Sequence, residues 1–188
     1  MLLAPPRSME ELLAHLDEVR ASPLIDGRLD FLLSRPAEGE REVLTHAELD
    51  VSRGLVGDDW ETRPCRLTPD KSPHPDMQLN IVNARFSAFL AEDPLLRAGT
   101  GDQLHVDLDL SPDNLPPGTR LSIGDDGALV EVTAVPHRGC AKFVRRYGGD
   151  AMRIVNDPVG RALNLRGVCA RVVWGGTVRL GDRVTRLG

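Results

Sequence analysis

The chain has 188 residues, an apolar fraction of 41%, a charged fraction of 27% and a net charge of −5. That length fits one large domain better than two, and such a domain can bury about 70% of its unfolded surface without a covalent or metal staple. The negative balance argues against a general nucleic-acid binder, which needs a basic surface to displace counterions, and no apolar run approaches the roughly 20 residues of a membrane helix.

Leu2 and Leu3 run straight into Pro5, Pro6 and Arg7, unlike a signal peptide. The three cysteines, Cys65, Cys140 and Cys169, form neither an even disulfide framework nor a regularly spaced zinc set. The expected location is the cytoplasm, where thiols stay reduced. Lys71 and Lys142 are the only lysines, so the basic groups are nearly all arginine, which can grip phosphate or carboxylate with two hydrogen bonds.

Ser8 and Glu11 form an S-x-x-E capping box, and Met9, Leu12, Leu13, Leu16 and Val19 follow at helical spacing. This predicts one helix that ends near Ser22-Pro23. We read residues 1–27 as a helical extension packed on the main body, and residues 28–188 as that body. Arg28 to Ser34 and Arg41 to Leu44 read as strands around a Pro36 to Gly39 turn. Thr45 and Glu48 suggest a cap and a short helical turn carrying His46. Residues 52–76 read as a long loop rich in glycine and proline, and loops of that length are often functional.

Gln78 to Asn83 reads as a buried strand, and Phe86, Phe89 and Leu90 as one face of a short helix. Leu104 to Leu110 alternates strictly, which predicts an apolar face inward and His105 on a wet outer face. Thr119 to Ile123 and Leu129 to Val135 read as a hairpin turning at Asp125-Asp126-Gly127. A helix then runs from Cys140 through Tyr147, a second is capped by Asp150 and ends near Asn156, and another starts at Pro158. Val168 to Trp174 and Thr177 to Arg186 are the last two strands. Short strands interrupted by helices favour a mainly β, mixed α+β barrel over a doubly wound sheet.

The segment Pro136-His137-Arg138-Gly139-Cys140-Ala141-Lys142-Phe143-Val144-Arg145-Arg146 carries the strongest chemical signal. It places a thiol between a strand and a helix, amid His137, Arg138, Lys142, Arg145 and Arg146. Nearby cations favour thiolate over thiol. Such a thiolate suits a nucleophile or a ligand for a soft metal. Cys169 lies in an apolar strand and reads as core filler. Cys65 follows Pro64 in the polar loop and reads as incidental.

In its ordered motifs the chain resembles the MOSC domain family, named for the C-terminal domain of molybdenum cofactor sulfurase. The resemblance spans roughly Arg28 to Gly188. It rests on Gly54-Leu55-Val56-Gly57-Asp58-Asp59-Trp60, Gln78 to Asn83, Gly101-Asp102-Gln103-Leu104, Gly118-Thr119-Arg120-Leu121-Ser122-Ile123-Gly124, Cys140 and Gly181-Asp182-Arg183-Val184. It departs from the family pattern at Asp102-Gln103, commonly Glu-Asn, and at Gly139, commonly Pro.

The resemblance implies a mostly β barrel with helices packed outside, to which the N-terminal helix read from its capping box and spacing is added. It implies that Cys140 ligates molybdenum of a pterin cofactor, the molybdenum cofactor, in an oxidoreductase that reduces N-hydroxylated small molecules. Sulfur transfer through a persulfide on Cys140 is the alternative, and a non-catalytic module binding a pterin or another anion is a third. The family also carries an association with pyridoxal phosphate.

Within that frame Arg138, Lys142 and Arg145 are candidates for the cofactor phosphate or a substrate anion, and His137 for proton donation to a leaving hydroxyl. Arg53 and Asp58, with Asp59 and Trp60, form either a pocket rim or a structural turn. Asn80, Asp102 and Gln103 either touch ligand or satisfy local backbone. The chain has no iron–sulfur cysteine set and no dinucleotide fingerprint, so an enzyme here would draw electrons from a separate donor protein. It is expected as a monomer or homodimer, without nucleic-acid or membrane partners.

Overall fold

A computed structural model describes residues 4–125 and 127–188. Leu2, Leu3 and Asp126, used in the reading above, lie outside the described residues. In chain order the elements are α1 (Met9–Ala14), α2 (Leu16–Arg20), β1 (Asp26–Ser34), β2 (Glu42–Leu44), β3 (His46–Asp50), β4 (Gly54–Leu55), β5 (Leu79–Asn83), α3 (Ala84–Leu90) and α4 (Pro94–Arg97). They continue with β6 (Leu104–Asp107), β7 (Arg120–Ile123), β8 (Ala128–Val132), α5 (Ala141–Asn156), α6 (Pro158–Ala162), β9 (Val168–Trp174), β10 (Gly176–Arg179) and β11 (Arg183–Arg186). Short 3-10 turns cover Asp59–Thr62, Pro75–Met77 and Ala98–Thr100.

The large sheet has eight strands in the order β11-β7-β8-β9-β5-β6-β1-β2, and β11 also pairs with β1. That extra pairing closes seven of them into a barrel and leaves β2 on the outside of β1. Closure depends on the length of β1. Its first residues pair with β11, Asp26 opposite Thr185, while its last pair with β2, Leu32 opposite Leu44. On its other side it pairs with β6, with a bulge between Leu29 and Phe31 that bends the strand. Seven closed strands leave no exposed edge along most of the wall.

Aliphatic side chains fill the barrel, among them Leu29, Leu79, Ile81, Leu104, Val130 and Val184. The interior is therefore a core and not a channel. A second sheet, β10-β3-β4, adds Ala47, Leu49, Leu55 and Val178 to the same cluster. A separate apolar cluster lies outside the barrel, where Leu12, Leu16 and Val19 meet Phe86, Leu90, Phe143, Tyr147 and Ile154. Helices of six and five residues are too short to persist alone. Burial of Leu12, Leu16 and Val19, about 1.5–3 kcal/mol each, holds them down. The capping box forms as expected. No helix among the described residues is long and apolar enough to cross a membrane.

Several expectations need correction. The first helix is broken at His15, whose ring stacks on Phe89 at 4.0 Å. Thr45 to Glu48 is no helical turn: His46 begins β3, paired with β10. The last predicted strand is two, split by a turn that returns the chain from the small sheet to the barrel. The helix through Tyr147 and the one ending at Asn156 are both present, as the two halves of α5 on either side of Gly148, whose φ of 90° favours a glycine; only the capping role expected of Asp150 is not seen. The Asp150 carboxylate accepts the Met9 backbone N–H at 3.1 Å and ties the N-terminal helices to α5.

His105 is the most informative reversal. Its ring is fully buried, because α3 and Phe31 cover the outer face of β6. Its Nδ1 meets the Ser87 hydroxyl at 2.8 Å and its Nε2 the Asp102 carbonyl at 3.1 Å. Alternation predicts a wet face only where nothing packs outside the sheet.

Gly27 lies where β1 leaves β6 and joins β11, and a Cβ there would sit 2.1 Å from the Asp107 carbonyl oxygen. Gly27→Ala is therefore expected to push the two strands apart and destabilise the fold by about 2–3 kcal/mol. Urea unfolding measures this; an unchanged midpoint would contradict the barrel closure described.

Candidate functional site

The site forms at the end of the barrel where β1 finishes and β6 begins. Here the chain leaves the wall at Arg35, re-enters it through residues 98–103 and 166–168, and crosses the opening with residues 133–140. These segments enclose a cleft of about 670 Å3. Its floor is made of two buried ion pairs. Arg35 is 3% exposed and meets Asp58 through two bonds, Nε to Oδ2 at 2.8 Å and Nη2 to Oδ1 at 2.7 Å. Asp58 also accepts the backbone N–H groups of Arg35 and Trp60. Arg166 is 7% exposed, and its Nη1 contacts both Asp102 oxygens, at 2.8 and 2.7 Å.

Neither arginine is held by its carboxylate alone. Arg35 donates to the Gly101 carbonyl and Arg166 to the Thr100 carbonyl, so both guanidiniums pin the loop before β6. The Phe143 ring, 5.1 Å from the Arg166 guanidinium carbon, covers its face. Burial opposes ionisation of Asp102, but Arg166 and then the His137 and His105 rings outweigh it and hold the carboxyl below its usual range.

Above this floor the lining is cationic. Arg41, Arg63, Arg138, Lys142 and Arg146 all border the cleft, with Glu38 and Asp59 as the acidic members. Lys142 Nζ reaches Glu38 at 2.7 Å, Arg63 pairs with Asp59, and Arg146 donates to the Gly99 carbonyl. Arg41 has no carboxylate partner among the described residues. Burial, then Arg146, Arg35 and Arg63, lower its pKa to about 10. Cys140 borders the same cleft with an exposed thiol, at the start of α5.

The candidates named from the sequence separate into three groups. Cys140, His137, Arg138, Lys142 and Asn80 border the cleft. Assigned so that both ends of the amide are satisfied, Asn80 places its oxygen 3.3 Å from Arg35 Nη1 and its nitrogen 3.3 Å from the Leu79 carbonyl. Asp58 and Asp102 lie beneath it as the anchors of Arg35 and Arg166.

Gln103, Arg53 and Arg145 stand apart. Gln103 is buried between strands, accepting the Asn80 N–H and donating to the Gln78 carbonyl. Arg53 is exposed and pairs with Glu61 at 3.2 Å. Arg145 is exposed outside the cleft, because a helix turns about 100° per residue and Lys142, Phe143 and Arg146 take the facing side.

His137 departs from its expected behaviour. Its side chain is 9% exposed. Burial, then Arg166, lower its pKa to about 3, against the pull of Asp102. The ring is neutral near pH 7, so titration near neutrality no longer supports a proton-donor role. Cys169 is buried as expected, and burial raises its pKa to about 12.

Sequence reasoning missed Arg35, Arg41, Arg63 and Arg166, and named Arg146 only as part of the charge cluster around Cys140. Arg35 carried a signal: a charge just after the apolar run Phe31 to Leu33 stays buried only with a partner. The others are assembled by topology.

No known family's sequence profile matches the chain, and no curated protein matches it in sequence. Solved structures do match in shape. The YuaD protein of Bacillus subtilis superposes with a TM-score of 0.59 at 19% identity, over 85% of this chain and 94% of that one. YiiM of Geobacillus stearothermophilus gives 0.54 at 14% identity, over 86% of this chain and 75% of that one. YiiM of Escherichia coli gives 0.54 at 18% identity, over 86% and 70%. Likeness at these identities establishes the fold: a closed barrel with flanking helices.

Two predictions follow from the floor of the site. Asp102→Ala leaves Arg166 buried without its counter-charge, an expected cost of about 3–5 kcal/mol. Thermal unfolding reads it, and a loss under about 1 kcal/mol would contradict the pairing.

The second concerns acid. His105 and His137 both have pKa values of about 3 in the fold and about 6.5 when unfolded. The unfolded chain therefore binds more protons between those values, so stability is full above about pH 6.5 and falls as pH drops toward 3. Asp102, lowered on folding, adds to the loss below about pH 4. Urea midpoints across this window should show the slope, and His105→Gln should remove about half of it near pH 5. A flat profile would contradict buried neutral imidazoles.

Proposed function

We propose that this chain is a MOSC-type protein that binds a molybdenum–pterin cofactor in the cationic cleft through the Cys140 thiolate, and acts as an oxidoreductase on a small N-hydroxylated substrate. One observation carries this reading. The exposed thiol of Cys140 borders a cleft whose lining and floor hold seven cationic side chains, Arg35, Arg41, Arg63, Arg138, Lys142, Arg146 and Arg166.

The residues present fit such a group. Among the described residues, three buried side-chain nitrogens lack a hydrogen-bond partner: Arg41 Nε, His137 Nδ1 and Arg166 Nε. All three belong to residues that border this cleft. Buried polar atoms without partners are rare and call for a ligand or ordered water. Two of them are guanidinium donors, which suit an oxygen-rich anion. The metal-facing donor is a single sulfur, a soft ligand of the kind a thiophilic metal takes.

Arg41, Arg138, Lys142 and Arg146 would hold the cofactor phosphate, and Asn80 would orient its polar edge. When bound, the group supplies electron transfer at its metal. The chain's own part is to supply charge, to fix the loop before β6 through Arg35 and Arg166, and to keep Cys140 reachable. Electrons would come from a separate donor protein.

One observation favours a second reading. Cys140 is a free, exposed cysteine, and such a thiol also suits a carrier that accepts sulfane sulfur from a donor persulfide and passes it on.

Expressed in a host that makes the cofactor, the protein should carry close to one molybdenum per chain, and Cys140→Ser almost none. Elemental analysis of both forms is the check. Molybdenum absent from the native chain would overturn the cofactor reading; reductant-labile sulfane sulfur on Cys140 would then select the carrier.

A further inference from the structure

The three partnerless nitrogens at the cleft are not alike. Arg41 Nε and Arg166 Nε are donors, since a guanidinium has no acceptor. His137 Nδ1 can be either, and its surroundings decide which. His137 Nε2 lies 3.4 Å from Asp102 Oδ1. A carboxylate only accepts. The ring must present its N–H to it, so Nε2 carries the proton and Nδ1 is left as a bare lone pair.

Asp102 cannot yield, because it is fully buried and clasped by Arg166. A rotated ring would set lone pair against carboxylate. A second proton is opposed by burial and by Arg166 and Arg35, so Nδ1 stays an acceptor at neutral pH.

We propose that His137 sets the specificity of the anion site, accepting a hydrogen bond from the ligand so that the cleft selects an oxyanion bearing a proton, such as hydrogen phosphate or hydrogen arsenate, over a fully deprotonated one such as sulfate. This rests on the anion-binding reading above and deepens it. Arg41, Arg138, Lys142 and Arg146 attract either anion by charge alone. Sulfate brings only acceptor oxygens, so against Nδ1 it sets lone pair to lone pair. Hydrogen phosphate brings the same oxygens and an O–H. A buried polar atom left unpaired costs about 1–3 kcal/mol, which converts to a preference of roughly 5- to 150-fold.

The test is calorimetric titration of the full chain with inorganic phosphate and with sulfate, at neutral pH and matched ionic strength. Phosphate should bind at least about tenfold more tightly, and arsenate, which also keeps a proton, should follow phosphate. His137→Leu should lower phosphate to the sulfate level and leave sulfate nearly unchanged. Nitrogen NMR of the imidazole should show Nδ1 unprotonated in the free protein and shifted by phosphate but not by sulfate. The native comparison stands even if the variant fails to fold. Equal binding of the two anions, or a preference that survives in His137→Leu, overturns the role of His137 while leaving an anion site. Binding of neither anion overturns that site as well.

Discussion

Two carboxylates, Asp58 and Asp102, hold the guanidiniums of Arg35 and Arg166 in the floor of the cleft, largely shielded from water. A buried pair of this kind adds little net stability compared with an apolar pair, because both charges lose their hydration. What it supplies here is position. Arg35 closes β1 against the Asp58 turn and reaches Gly101; Arg166 enters β9 and reaches Thr100. The loop before β6 is thus gripped from both sides, and that loop shapes the rear of the site.

With the floor neutralised, the charge of the lining remains. Arg41, Arg138 and Arg146 border the opening without carboxylate partners among the described residues, while Lys142 and Arg63 meet Glu38 and Asp59 at its rim. The chain carries a net charge of −5, so this positive region is local. Fields focused in a cleft raise the local concentration of an anion and speed its arrival. The thiol of Cys140 opens into that field, and the neutral imidazole of His137 adds an acceptor among donors.

Much of the frame was legible in the sequence. The capping box at Ser8, the buried strand at Gln78 to Asn83 and the hairpin from Thr119 follow from spacing and turn chemistry alone. Alternation failed at His105, because it reports how many faces of a strand are covered only when one is wet. It failed again near Thr45, where a cap-like pair begins a strand that the small sheet requires. The site was half legible. Residues 136–146 are close in sequence, so their charge cluster shows directly. Arg35, Arg41 and Arg166 come from distant segments and meet Cys140 only after the barrel closes. Arg145 and Arg146 are adjacent in sequence, and only the helix face separates the one outside from the one inside.

The central claim is that a reachable thiol at Cys140 sits in a positive field. Alkylation separates reach from field. The rates of anionic iodoacetate and neutral iodoacetamide at Cys140 can be followed by mass in the folded chain and in the urea-unfolded chain. The account predicts that folding raises the iodoacetate-to-iodoacetamide ratio several-fold, and that salt above about 0.5 M, where the Debye length shrinks below 5 Å, removes the gain. A ratio unchanged by folding, or a folded Cys140 that neither reagent reaches, would contradict it.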